Sequence, residues 1–407
     1  MNSRWERLRW RVALAAGTLL VWFALMGHEG TWAWLGIEHY DFYFLDTIAV
    51  LSAGQAWHAG LDIYDQAKGN PFDPFGRPHV YGPWWLLTGP LGLTIADARW
   101  LGPLVGLAFI VSAVAVLAPR RPGPAAIALL LLASPPVLLA LERGNNDLVV
   151  FVLLVLAGEL LTRPRQPAAN GAALAARPAQ RRAALAWMGA VGGGCLLVFL
   201  LWHTDYTRAL AIAPRPRSIF AYGVKVLAWM WDWPGPTAMI WLAVVFGVVA
   251  AGAGVWLLRR AAALWAAVPP TGAVTAWFVA AASAWCFCYL VNSNYLYRAT
   301  LLLLPARLWL DQTDGTDRRA AGTARALLAA CVVMVWLLPV KSWCASRLGL
   351  RPWADLGLAV ILGVEQALVA AVTAALLISL TGWGWRRWRE VRPPADSASR
   401  AAPLSCY

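Results

Sequence analysis

Asp41, Asp46, Asp62, Asp65, Asp73, His39, His58 and His79 all lie between residues 28 and 80, in a soluble-looking stretch that separates two apolar runs. In a chain otherwise built for lipid, this is where water-dependent chemistry belongs. The string His39-Tyr40-Asp41-Phe42-Tyr43-Phe44-Leu45-Asp46 puts two carboxylates at the end of the first apolar run. A carboxylate there can act as a general base, because partial burial near the bilayer raises its pKa toward a working value. The plainer reading is that it caps a helix over residues 42 to 59 or faces water. Asp41 and Asp46, five apart, do not share a helical face, so a paired-carboxylate hydrolase is disfavoured.

Three further polar groups interrupt the apolar sequence. Gly60-Leu61-Asp62-Ile63-Tyr64-Asp65 is followed, after a Gly/Pro-rich loop, by Val80-Tyr81-Gly82-Pro83-Trp84-Trp85. Pro83 fits the first turn of a helix, and interfacial anchoring is the stronger reading of Tyr64 and Tyr81. Glu142-Arg143-Gly144-Asn145-Asn146-Asp147 makes a turn at Gly144 with Asn146 or Asp147 as cap, yet holds more hydrogen-bonding groups than a cap needs. Ionisable groups near membrane depth are costly, so a functional role is the default expectation for them. Asn292-Ser293-Asn294-Tyr295-Leu296-Tyr297-Arg298 is the last group. Arg298 can snorkel to the interface or bind a lipid phosphate, for which a planar guanidinium is suited. Lys225 and Lys341, two of only three lysines, are weaker candidates for that task.

The elements that must position these groups are membrane helices. Of 407 residues 60% are hydrophobic and 14% charged, and the mean hydropathy is +0.57, outside the range of an ordinary soluble domain. A spanning helix needs about 20 mostly apolar residues. Such runs fall near residues 11 to 27, 83 to 96, 101 to 118, 124 to 141, 147 to 162, 184 to 202, 237 to 258, 272 to 291, 296 to 310, 322 to 340 and 356 to 381. The expectation is an all-α polytopic membrane protein of ten or eleven helices, one multi-span domain over residues 1 to 391. The first run follows Arg4, Arg7, Arg9 and Arg11 without a small-residue cleavage site, and reads as a retained span.

The net charge of +13 is spread over short connections: Arg120 and Arg121, Arg163 through Arg182, Arg259 and Arg260, Arg318 and Arg319, Arg386 through Arg392. Such clusters mark cytoplasmic loops and form no nucleic-acid patch. They put the N-terminus in the cytoplasm and residues 28 to 80 on the outer face. The alternation does not close over every loop, which points to a misdivided helix within residues 81 to 118. Residues 163 to 182 read as a flexible cytoplasmic loop and residues 392 to 407 as a disordered tail. Among 26 tryptophans, Trp32, Trp34, Trp84, Trp85, Trp229 through Trp233 and Trp383 through Trp388 lie near span ends, as interfacial anchors do. The six cysteines have neither metal-ligand nor disulfide spacing. Gly192 to Gly194 reads as close helix packing.

In order and spacing, these motifs resemble the GT-C class of polyprenol-phosphate-sugar-dependent glycosyltransferases, and within it the family 87 membrane mannosyltransferases. The resemblance rests on Asp41-Phe42, Gly60-x-x-x-Tyr64, Tyr81-Gly-Pro83, Arg143-Gly-Asn-Asn-Asp147 and Asn294-x-x-Tyr297-Arg298, and covers most of residues 11 to 310. It departs where the family often has a lysine-tyrosine-proline segment, near which the Arg163 to Arg182 loop stands here. The resemblance implies a sugar carried on a polyprenyl phosphate, a glycolipid or glycan acceptor, and an active site in the first outer loop. Asp41 then deprotonates the acceptor hydroxyl. Asp46, Tyr64, Tyr81, Arg143, Asn145, Asn146, Asp147, Asn294, Arg298 and Lys225 are expected to line the substrate site. No metal or other cofactor is called for, and the chain lacks a Gly-x-Gly-x-x-Gly turn or an Asp-x-Asp pair for a nucleotide-sugar metal site. An arginine-rich, lysine-poor, alanine-rich composition fits a bacterial protein of the plasma membrane. The competing classes are a transporter or flippase of lipid-linked sugars, which would show paired broken spans, and a polymerase or ligase of lipid-linked glycans. The latter tends to carry a long late outer loop, and the candidate here, Lys341 to Pro352, is short.

Overall fold

The structure is a computed structural model that describes residues 3–26, 29–37, 40, 42–162, 197, 200–213, 221–223, 226, 236–291, 294–347 and 352–391. Asp41, Lys225, the Arg163 to Arg182 loop, Gly192 to Gly194, Trp229 through Trp233, most of the run 184 to 202 and the tail beyond 391 lie outside these residues.

Helices make up most of what is described. In chain order they are α1 (Ser3–Met26), α2 (Glu29–Trp34), α3 (Leu45–His58), α4 (Ala98–Leu117), α5 (Pro122–Leu132), α6 (Pro135–Arg143), α7 (Asn146–Thr162), α8 (His203–Ile212), α9 (Pro236–Ala267), α10 (Ala273–Val291), α11 (Leu303–Gln312), α12 (Arg318–Arg347) and α13 (Pro352–Val391). Three 3₁₀ helices, Pro83–Thr88, Ile95–Asp97 and Leu296–Leu302, join them. A single two-stranded antiparallel ribbon pairs β1 (Ala221–Tyr222) with β2 (Asn294–Tyr295).

Six helices among the described residues are long and apolar enough to cross a membrane: Leu8–Met26, Ile95–Leu117, Ile240–Ala267, Ala273–Leu290, Arg318–Cys344 and Gly357–Arg389. The pair α5 and α6 makes a seventh if its 50° bend is counted within one span. Pro135, which opens α6, and Ser134, whose hydroxyl turns back to Leu131 O at 2.7 Å, set that bend. The chain is a helical polytopic membrane protein, with fewer full-length spans than the runs of apolar residues suggest.

The differences have local causes. Residues 83 to 96 are not a span: Gly89, Pro90 and Gly92 break the run into a short 3₁₀ helix and a turn, inside the interval where the charge alternation failed to close. Residues 296 to 310 split into a 3₁₀ turn and the short α11, whose residues from Leu303 to Leu310 are all buried by protein. The run at 147 to 162 lies in α7, a helix of 17 residues from Asn146 to Thr162. The helix expected over 42 to 59 is α3, three residues shorter at its start and one at its end.

In hydrocarbon every polar main-chain group must find a partner within the protein. The C-terminus of α4 meets this need through Arg307 of α11, whose Nη1 donates to the carbonyls of Val116, Leu117 and Ala118 at 3.0, 3.0 and 3.4 Å, while its Nε donates to Asp311 at 2.8 Å. Several tryptophans serve the core rather than the interface. Trp277 Nε1 donates to Val155 O at 3.1 Å and Trp285 Nε1 to Thr373 Oγ1 at 3.0 Å. Trp32, expected as an interfacial anchor, is fully buried, whereas Trp34, Trp84, Trp385 and Trp388 are exposed as expected of anchors. Lys341 is not at an interface: it is buried, with Nζ 2.7 Å from both oxygens of Glu365 on α13.

The stretch between α3 and α4 is folded tightly onto α3. Gly54 and Gly89 meet backbone to backbone, so that a Cβ on Gly89 would fall 2.1 Å from Gly54 O. Buried Ser52 receives the Asn70 amide at 3.2 Å and lies 3.4 Å from Asp73. Arg77 clamps Asp73 at 2.7 Å and reaches the carbonyl of Leu45 at 3.0 Å. The loop that carries Tyr64, His79 and Tyr81 is thus fixed against the start of α3.

Candidate active site

The site begins at the turn between α6 and α7. α6 ends on Gly144 at φ +56°, a left-handed conformation that closes helices and favours glycine. A Cβ there would also lie 2.4 Å from Thr47 Oγ1. The freed carbonyls are used to hold the N-terminus of α3: Thr47 Oγ1 donates to Gly144 O at 2.8 Å, and the Phe44 N–H donates to Glu142 O at 2.8 Å. Phe44 adopts φ +60°, uncommon for a bulky residue, to make that turn. The two segments are about a hundred residues apart in sequence, and the turn locks them together.

Asp46 then sits in the first turn of α3, where a helix N-terminus favours negative charge. Its Oδ2 accepts a hydrogen bond from Asn145 Nδ2 at 2.6 Å, and its charge acts on the Tyr81 hydroxyl. Asn145 Oδ1 in turn accepts from the Asp147 N–H at 2.8 Å. Burial first, and then the Asp46 carboxylate, hold the Tyr81 hydroxyl well above the ordinary phenol range, so it stays a donor.

The third segment arrives through the ribbon. β2 leads directly into the 3₁₀ helix Leu296–Leu302, which carries Tyr297 and Arg298. Arg298 Nε lies 3.6 Å from Asp147 Oδ2, and Tyr297 lies in the field of Asp46, Asp147 and Arg298. The Tyr295 and Tyr297 rings stack at 5.3 Å, 5° from parallel. Arg143 pairs with buried Glu142 at 3.0 Å and stands over the Tyr40 ring at 4.8 Å.

Asp46, Tyr81, Asn145, Asp147 and Arg298, drawn from four separated motifs, therefore form one cluster of carboxylates, amide, phenol and guanidinium, with Arg143 beside it on Glu142. Asn146 is half-buried at the start of α7. Asn294 enters through its backbone, as the partner of Tyr222 in the ribbon. Tyr64 belongs to an adjoining group: its ring is 6.1 Å from His79, which is 6.1 Å from Tyr81. On its other side Arg208 stands over the Tyr64 ring at 4.8 Å and grips both oxygens of Asp62 at 2.6 and 2.8 Å. The hydrogen bond from Arg208 pulls the Asp62 carboxyl below the usual range, although both groups are exposed.

Sequence reasoning missed α8, whose Asp205, Tyr206 and Arg208 cover Tyr64 and Trp84, since nothing in a short polar helix announces its docking face. It also missed Arg77, which the i, i+4 spacing from Asp73 did signal.

Chemically, the cluster offers carboxylate oxygens to a hydroxyl and guanidinium groups to an anion, at helix ends within a helical bundle. Comparisons with protein families, with curated proteins and with solved structures give no match for this chain.

Proposed function

We propose that this protein is a glycosyltransferase of the bacterial plasma membrane that moves a sugar, mannose in the first instance, from a polyprenyl-phosphate carrier to a glycolipid or glycan acceptor on the outer face. The observation that carries the reading is the convergence of Asp46, Asn145, Asp147, Arg298 and Tyr81 at one place. Transfer from a phosphate-linked donor needs two things. A carboxylate must take the proton of the attacking hydroxyl, and a cation must steady the departing phosphate.

In this reaction the acceptor oxygen bonds to the anomeric carbon as its proton passes to an aspartate. The bond from that carbon to the phosphate oxygen breaks on the opposite face, and polyprenyl phosphate leaves with its electron pair. The configuration inverts. Asp41 is the proposed base, by resemblance. Asp46, five residues on and held by Asn145, is proposed to bind and orient a substrate hydroxyl. Arg298 and Arg143 are the proposed phosphate partners.

The test is transfer of radiolabelled mannose from polyprenyl-phosphate-mannose to membrane glycolipid by purified protein. Asp41→Asn should lower kcat by about a thousandfold, in keeping with loss of general-base catalysis. Asp46→Asn should act mainly on KM, by about tenfold for one hydrogen bond. The reverse pattern would make Asp46 the base. No transfer by wild type, with movement of the lipid-linked sugar across vesicles, would replace the transferase reading with a transporter.

A further inference from the structure

His79 is 2% exposed. Its main-chain N–H donates to Ile63 O at 2.9 Å, which fixes the residue against the Gly60 to Asp65 segment. Its ring Nε2 lies 3.4 Å from Gly82 O. A carbonyl only accepts, so Nε2 carries the proton and Nδ1 presents a lone pair. Burial pulls the imidazole pKa down to about 4, which keeps the ring neutral near pH 7. Nδ1 is buried and receives no hydrogen bond. Buried polar atoms are nearly always paired, so such an atom marks a place that a ligand or a trapped water completes.

The surroundings narrow the ligand. The imidazole lies between the Tyr64 and Tyr81 rings, and the Asp46 charge acts on Tyr81. Arg208, which stands over Tyr64, is already paired with Asp62, and Arg77, whose charge acts on Tyr81, is already paired with Asp73. A hydroxyl can donate to Nδ1, and aromatic walls suit the apolar face of a sugar ring.

We infer that Nδ1 of His79 accepts a hydrogen bond from a hydroxyl of the transferred sugar or of its acceptor, and that Tyr64, His79 and Tyr81 form a polyol subsite beside Asp46. That the ligand is a sugar rests on the proposed function. That Nδ1 lacks a hydrogen-bond donor rests on the geometry alone.

Two substitutions separate this role from a structural one. In His79→Gln the side-chain amide takes the place of Nε2–H and keeps the donor to Gly82, but loses the acceptor. In His79→Asn the amide oxygen takes the place of Nδ1 and keeps the acceptor, but loses the donor. In the mannose transfer assay the Gln variant should raise KM about tenfold with kcat little changed, while the Asn variant stays near wild type. The opposite ranking, or equal KM values, would overturn the inference.

A second readout does not depend on catalysis. Nitrogen-15 NMR of histidine-labelled protein in nanodiscs, with the His79 signal assigned by its absence in the Gln variant, is followed as octyl α-mannoside is added. A saturable shift of Nδ1 supports the subsite. A Nδ1 already hydrogen-bonded before addition and unmoved by it means a trapped water, and the inference falls. A shift without any transfer activity keeps the subsite and removes the transferase. Transfer activity without a shift does the reverse.

Discussion

Asp46 and His79 show how much a single side chain's neighbours decide. Both are buried polar groups on one tightly folded stretch, yet Asp46 has its partners and His79 Nδ1 does not. Asn145, Asp147 and Arg298 stood out in the sequence because each belongs to a polar group between apolar runs, whereas Asp46 and Tyr81 were placed in the site by the resemblance. His79 was legible only as one histidine among several, since an unmet hydrogen bond arises from contacts made by Ile63 and Gly82 and leaves no mark on the residue itself. The same burial makes His79 a measurable titrating group. Its pKa is 6.5 in the unfolded chain and about 4 in the fold, so the unfolded state takes up the proton first as pH falls. Stability from this group is therefore whole above pH 6.5, declines as pH drops, and is lost below about 4, by on the order of 3 kcal/mol. Asp205, Asp62, Asp46 and Tyr64 also lie around this ring system, so the comparison must be with a variant. Thermal unfolding in detergent between pH 7 and 4 should drop more steeply for wild type than for His79→Gln. Parallel curves would mean that the imidazole is not held neutral by the fold.

At the scale of elements, the apolar runs near 11 to 27, 101 to 118, 237 to 258, 272 to 291, 322 to 340 and 356 to 381 all became long helices. The run at 83 to 96 did not. Hydropathy alone does not separate a span from apolar residues that pack a loop onto a neighbouring helix, and Gly89, Pro90 and Gly92 were the signal to weigh there. The short α11 teaches the complementary point: a helix too short to span can still be central, because protein rather than lipid surrounds it. Its Arg307 supplies a cation to the C-terminal carbonyls of α4, where the helix dipole also favours one. Arg307→Leu should lower stability by about 3 kcal/mol, from carbonyls left without a charged donor in a buried place. Arg307→Lys should restore only part of this, since an ammonium lacks the planar fork that also reaches Asp311. Detergent thermal melts of the three proteins settle the matter. A leucine variant as stable as wild type would show that water or lipid headgroups already satisfy those carbonyls.

For the whole molecule, the buried pair Lys341 and Glu365 ties α12 to α13 with both side chains fully enclosed. Next to it Gln366 Nε2 donates to Ala221 O at 3.0 Å, and the Lys341 ammonium lies 5.9 Å from the Tyr222 ring. Ala221 and Tyr222 form β1, whose partner β2 opens the segment bearing Tyr297 and Arg298. The ion pair therefore sits at the far end of a continuous chain of contacts that leads, through the ribbon, to the guanidinium of the candidate site. Sequence reading offered Lys341 only as a weaker candidate for binding a lipid phosphate. Its partner, one helix later, was the missing fact. A buried ion pair contributes little net stability, because desolvation of both charges offsets their attraction, but removing one partner leaves the other charge stranded. Lys341→Met and Glu365→Leu should each destabilise the protein by about 3–5 kcal/mol, and the double variant should recover most of that loss. If the pair also sets the register of β1 against β2, the double variant will be stable and yet bind donor more weakly, because Arg298 will no longer be held beside Asp147. Melting temperature and KM for polyprenyl-phosphate-mannose, measured on the same preparations, separate the two roles. A double variant with both restored limits the pair to packing. A stable double variant with raised KM makes it the remote support of the phosphate site.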